Sequence, residues 1–136
     1  MSNPFLCEIR IVSWGFAANG WALTNGQTLP INQYQAIFSL LGTYYGGNGV
    51  SNFMLPNLQS RIPMHAGQGA GLSARNLGDR GGVEGTTPQQ QTTPISQALA
   101  LPVSSNIGYR TTGATLSPFV VLNFIIALQG IYPSRG

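Results

Sequence analysis

Pro30-Ile-Asn-Gln-Tyr-Gln-Ala-Ile-Phe-Ser-Leu-Leu-Gly42 decides the fold class. Ile31, Tyr34, Ile37, Phe38 and Leu41 recur at spacings of three and four, which places them on one face of a helix. Asn32 can cap the amino end, Gln35 can complete a capping box three residues later, and Gly42 follows the last apolar position as a stop. One main helix is therefore expected near residues 32–41.

Outward from that segment the periodicity turns from helical to extended. Upstream, Glu8-Ile9-Arg10-Ile11-Val12 carries β-branched residues in partial alternation and predicts a strand. Asn19-Gly20 and Asn25-Gly26 bracket Trp21-Ala22-Leu23-Thr24, and Asn-Gly favours the dihedrals of tight turns, so short β-hairpins are expected here. Trp14 and Trp21 are most simply read as core, and Cys7 as a small buried apolar residue. Downstream, Gly46-Gly47-Asn48-Gly49 must be a loop, because so many glycines lose too much backbone entropy in regular structure. Tyr44 and Tyr45 just before it have two readings: a platform on which a sugar stacks, or rings covering the edge of the core. Phe53 to Leu58 and Arg61 to His65 look extended and limited by proline, and the stretch from Gly67 to Gly85 is glycine-rich and irregular. Residues 85–116 include the polar run Thr86-Thr87-Pro88-Gln89-Gln90-Gln91-Thr92-Thr93 and read as a loop or arm.

The carboxyl end alternates. Val120, Leu122, Phe124, Ile126 and Leu128 are all bulky and apolar, whereas Phe119, Val121, Asn123, Ile125, Ala127 and Gln129 form a mixed face. The first set predicts a core face. The second is apolar enough to need cover yet carries two amides, as expected of a strand packed on an identical strand of a neighbouring subunit.

With 136 residues the chain is long enough for one core, and a single domain spanning 1–136 is expected. Only 7% of residues are charged, against about 25% in an average soluble domain. Lysine is absent, and the six arginines (Arg10, Arg61, Arg75, Arg80, Arg110 and Arg135) are scattered singly, so no row of cations forms for a nucleic-acid backbone. Residues 1–8 lack the basic and apolar regions of a signal peptide. Leu116 to Leu128 is too short to cross a membrane, so membrane insertion is not expected.

Reactive groups are few. Asp79 and Glu84 lie five apart beside Arg75 and Arg80, where ion pairing is a better reading than catalysis. His65 has no ligand-spaced Cys, His or carboxylate. Gly67-x-Gly69-x-Gly71 lacks both the dinucleotide spacing and a phosphate-binding lysine. No enzyme activity, catalytic residue, metal or cofactor is expected.

Several motifs occur in a recognisable order: Met1-Ser-Asn-Pro-Phe-Leu-x-Glu-Ile-Arg; Gly20-Trp-Ala-Leu-x-Asn-Gly-Gln-x-Leu-Pro-Ile; Gln35-Ala-Ile-Phe-Ser-Leu-Leu-Gly-Thr-x-Tyr-Gly-Gly-Asn-Gly; Phe53-x-Leu-Pro-Asn-Leu-x-x-Arg-Ile-Pro; and Leu122-Asn-Phe-Ile-Ile-Ala-Leu-Gln-Gly-Ile-Tyr-Pro-Ser-Arg. Together they resemble the phage tail collar domain family, whose bacterial members are often called microcystin-dependent proteins. The resemblance implies a small α+β collar domain with a self-associating carboxyl-terminal strand. It further implies a homotrimeric tail fibre component of the virion, made in the host cytoplasm, with itself and other tail or baseplate proteins as partners. Its role would lie in fibre assembly or host attachment. A second reading is an adhesin that presents Tyr44, Tyr45 and Tyr109, in the loop around residues 85–112, to a host-surface glycan. Some relatives hold a metal on a Pro-x-His-x-His segment, but here the corresponding stretch is Thr93-Pro94-Ile95-Ser96-Gln97-Ala98, so that site is not carried over.

Overall fold

The computed structural model describes residues 3–84 and 117–136. The chain divides into two compact units, Met1–Arg80 with Val121–Gly136 and, separately, Gly81–Val120. The arm expected at 85–116 lies outside the described residues.

The first unit is α+β. Its elements are β1 (Ile9–Val12), β2 (Trp21–Leu23), β3 (Thr28–Pro30), a 3₁₀ turn (Ile31–Gln33), α1 (Gln35–Leu41), β4 (Asn52–Met54) and β5 (Asn123–Ala127). A three-stranded sheet has the order β1-β5-β2, and a two-stranded sheet pairs β3 with β4. Both β1 and β2 run antiparallel to β5, so the last strand in the sequence is the centre of the sheet.

This topology replaces the expected hairpins. Gly20 and Gly26 do take positive φ, 81° and 77°, as the Asn-Gly signals require. The strands that they flank nevertheless pair at long range, β2 with β5 and β3 with β4, because turn chemistry fixes a change of direction and not the partner. Thr24 joins the sheet edge through its side chain: its Oγ1 and its N–H both donate to Phe124 O, at 3.0 and 3.1 Å. That satisfies a buried hydroxyl which would otherwise be costly.

The helix is shorter than its periodicity indicated. A 3₁₀ turn occupies Ile31–Gln33, Tyr34 sits at the amino cap with φ −132° and ψ 45°, and no side-chain cap bond forms, so the Asn32–Gln35 capping box is absent. Gly42 ends the helix as expected, at φ 50°, donating its N–H to Phe38 O at 2.7 Å. The buried face carries Ile37 and Leu41, with Ile31, Tyr34, Phe38 and Leu40 packed at its margin. It meets Leu6, Ala22, Leu29, Phe53, Leu55 and Ile126, and the Phe38 and Phe53 rings tilt against each other with centroids 5.5 Å apart.

The loop after α1 is held by one side chain. Asn48 Oδ1 accepts the N–H groups of Val50, Ser51 and Asn52 at 2.9 to 3.1 Å, and Asn52 Oδ1 accepts from the Asn48 N–H at 2.9 Å. A single asparagine thereby satisfies three donors that this glycine-rich turn leaves without backbone partners.

Candidate functional site

The strand expected over residues 119–129 occupies only Asn123–Ala127, and Phe119, Val121 and Gln129 fall outside it. Residues opposite one another in an antiparallel pair share a face, so Ile126 stands with Ile9 and Ala22, and Ile125 with Arg10 and Leu23. Both faces of the strand are closed. Ile125, Ile126 and Ala127 are 2%, 1% and 0% exposed. The face read as mixed is closed by the chain itself. Arg10 on β1 and Trp21 on β2 flank β5 on that side, and the Arg10 guanidinium lies 5.2 Å from the centroid of the Trp21 ring. Alternation could not show this, since the cover comes from two strands more than a hundred residues away in sequence. Glu8 Oε1 accepts from Arg10 Nε at 2.7 Å and Glu8 Oε2 from the Phe5 N–H at 2.9 Å, which together hold the Glu8 carboxyl below its ordinary range. Asn123 Nδ2 donates to Trp14 O at 2.7 Å, spending one of the two amides of the mixed face within the chain.

What the strand does not cover lies just before it. Phe119, Val120, Val121 and Leu122 are all exposed, a run of four large apolar residues without a strand of their own. Trp14, expected in the core, is also exposed, with its ring centroid 6.3 Å from that of Phe16. Both aromatics lie in the bend that follows β1, past the end of the strand that alternation could place. Ile9 and Ile11, on the edge strand β1, are likewise open to solvent.

The tyrosines do not act as a pair. Tyr44 is 57% exposed, whereas Tyr45 packs on the core, where burial first and the neighbouring Cys7 second push its phenol up. Tyr109 lies outside the described residues, as does the 93–98 stretch. Asp79 Oδ2 accepts the Asn76 N–H at 2.7 Å, so this carboxylate caps its own turn instead of pairing with Arg75 or Arg80. His65 is exposed, and among the described residues no three His, Cys, Asp or Glu side chains gather to hold a metal.

Burial pushes the Cys7 thiol up to about 11. The folded thiol holds its proton more tightly than the unfolded one, whose ordinary value is 9.0, so this contribution to stability is complete below pH 9.0 and is lost as pH rises through 11. Tyr45 shifts in the same direction. Native protein is expected to resist iodoacetamide at mildly alkaline pH and to alkylate rapidly in urea. Alkylation at equal rates in both states would show that Cys7 is open in the fold.

The class that the geometry defines is a small α+β unit with its carboxyl-terminal strand at the centre of the sheet and apolar residues left exposed before that strand. The family model of the phage tail collar domain, a structural domain of phage tails, matches residues 7–63 of the chain. No curated protein matches the chain. No helix among the described residues is long and apolar enough to cross a membrane.

Proposed function

We propose that the protein is a homotrimeric collar or fibre subunit, serving fibre assembly or host attachment and joined to other tail or baseplate proteins. The observation that carries this reading is the exposure of Val121 and Leu122, which lead into β5, in a chain whose residues 7–63 match the tail collar domain. Large apolar side chains left in water are unfavourable, at roughly 25 cal/mol for each Å² that a partner would cover. Ile125 and Ala127 are buried within the subunit, so the contact falls to the exposed members of the expected interface, Phe119, Val121 and Gln129.

Light scattering after gel filtration is expected to give three times the 14.4 kDa chain mass. Val121→Asp is expected to shift that mass toward one chain with little change in unfolding temperature, because Val121 is 77% exposed within the subunit. A wild-type protein that stays a monomer at micromolar concentration overturns the trimer. A trimer unaffected by the substitution moves the contact elsewhere.

A further inference from the structure

Asparagine followed by glycine occurs three times in the chain, at Asn19-Gly20, Asn25-Gly26 and Asn48-Gly49. The pair is chemically labile, because glycine has no Cβ to keep its backbone nitrogen from the amide carbon of the asparagine. The fold separates the three. At Asn48 both reacting groups are engaged: Oδ1 accepts from Val50, Ser51 and Asn52, Nδ2 donates to Ser51 Oγ at 3.0 Å, and the Gly49 N–H donates to Asn52 O at 3.0 Å. At Asn25 the Gly26 N–H donates to Pro56 O at 3.2 Å, and the bridge to Asn57 holds the backbone, with Leu58 N–H on Thr24 O at 2.9 Å and Leu55 N–H on Gln27 O at 3.0 Å. Asn19 differs in each respect. It is exposed, and its side-chain amide makes no hydrogen bond to any described residue. The turn that carries it is closed by Trp21 N–H on Ala18 O at 2.9 Å, which leaves the Gly20 N–H without a partner among the described residues. A cleft of about 200 Å³ at the end of the sheet, lined by Asn3, Asn19, Gly20 and Gln129, opens both groups to water.

We infer that Asn19-Gly20 is a modification site, where the chain deamidates itself through a succinimide. Hydroxide removes the Gly20 amide proton, and the nitrogen attacks Asn19 Cγ. The N–Cγ bond forms, the Cγ–Nδ2 bond breaks, and Nδ2 leaves as ammonia with a proton taken from water. A second step adds water at either ring carbonyl and gives an α-aspartyl or a β-aspartyl linkage at position 19. One amide and one water are consumed, one carboxylic acid and one ammonia are produced, and nothing is oxidised or reduced. The new carboxylate lowers the formal net charge of +3 by one, in a cleft with no other ionisable lining residue. The β-linkage also lengthens the turn by a backbone methylene between Ala18 and Trp21. It therefore works against the Trp21 bond to Ala18 O and against the Leu128 N–H bond to Gly20 O, at 2.9 Å, which seats β2 beside β5. The inference goes beyond the assembly role and does not depend on it.

The test holds the full chain in warm, mildly alkaline buffer, once native and once in urea, and locates the products by tandem mass spectrometry. Native protein is expected to convert at Asn19 first, with Asn25 and Asn48 roughly tenfold or more slower, because their hydrogen bonds must open before either can react. In urea the three pairs should convert at comparable rates. Native Asn19 should give β-aspartyl as well as α-aspartyl product, resolved by peptide chromatography and electron-transfer fragmentation, since direct hydrolysis of the side-chain amide gives no β form. Asn19→Gln has no side-chain bond to lose, so it should unfold with the parent and form no acidic species on ion exchange while the parent does. The assignment is overturned if native Asn25 or Asn48 converts as fast as Asn19, or if native Asn19 stays intact while the urea sample converts. It is equally overturned if urea leaves the ratios unchanged, if only the α-aspartyl product forms, or if Asn19→Gln acidifies at the parent's rate.

Discussion

Phe53→Ala is expected to lower the stability of the collar unit by about 3–5 kcal/mol, the usual cost of truncating a fully buried phenylalanine. Phe53 is 0% exposed and joins the elements that matter: it lies in β4, pairs with Leu29 of β3, and tilts its ring against Phe38 of α1. The hole would be hard to close, because Gly47 already lies against the Phe53 Cα and leaves the backbone no freedom to collapse inward. A domain of this size has only roughly 5–15 kcal/mol in total, so the variant should show a markedly lower urea midpoint or fail to fold at growth temperature. A loss below about 1 kcal/mol would mean that the core is not organised around this ring.

The second large effect is expected from Gly130→Ala. Gly130 has φ 155°, and a Cβ added there would run into Pro4 O, the acceptor of the Ile131 N–H. Neither obstacle is a flexible side-chain tip. The chain ends must separate or the residue must move to a new conformation, and about 2–4 kcal/mol is expected from backbone strain together with the lost bonds between residues 4–6 and 131. Hydrogen exchange should show the Leu6 and Ile131 amides losing protection before those of α1. Unchanged protection would mean that the added Cβ is accommodated without separating residues 4–6 from 131.

Both sites show what the sequence could and could not disclose. The helix was legible because its apolar spacing is a local signal, and Gly42 ended it where a glycine was needed. Its first turn was not, since the chain leaves β3 at Pro30 and the 3₁₀ turn that follows displaces Asn32 from a capping position. The carboxyl-terminal strand was legible at Asn123–Ala127, whereas what lies over its second face within the chain was not. Alternation reports that a face is covered and says nothing of which residues cover it; here Arg10 and Trp21 do. The exposed tryptophan at position 14 was misplaced for a related reason, because large aromatics default to the core unless the fold runs out of room beside them.

The central position of β5 also sets a timetable for the nascent polypeptide. Strands β1 and β2 bond to β5 and not to each other, so Trp21–Leu23 must wait for Asn123–Ala127 to be translated. At ribosomal speeds of about 5–20 residues per second, that delay is roughly 5–20 s, during which the apolar amino-terminal third is held without its sheet. Such a polypeptide completes this sheet only once Asn123–Ala127 has emerged, and chaperone occupancy on the amino-terminal third should fall only then.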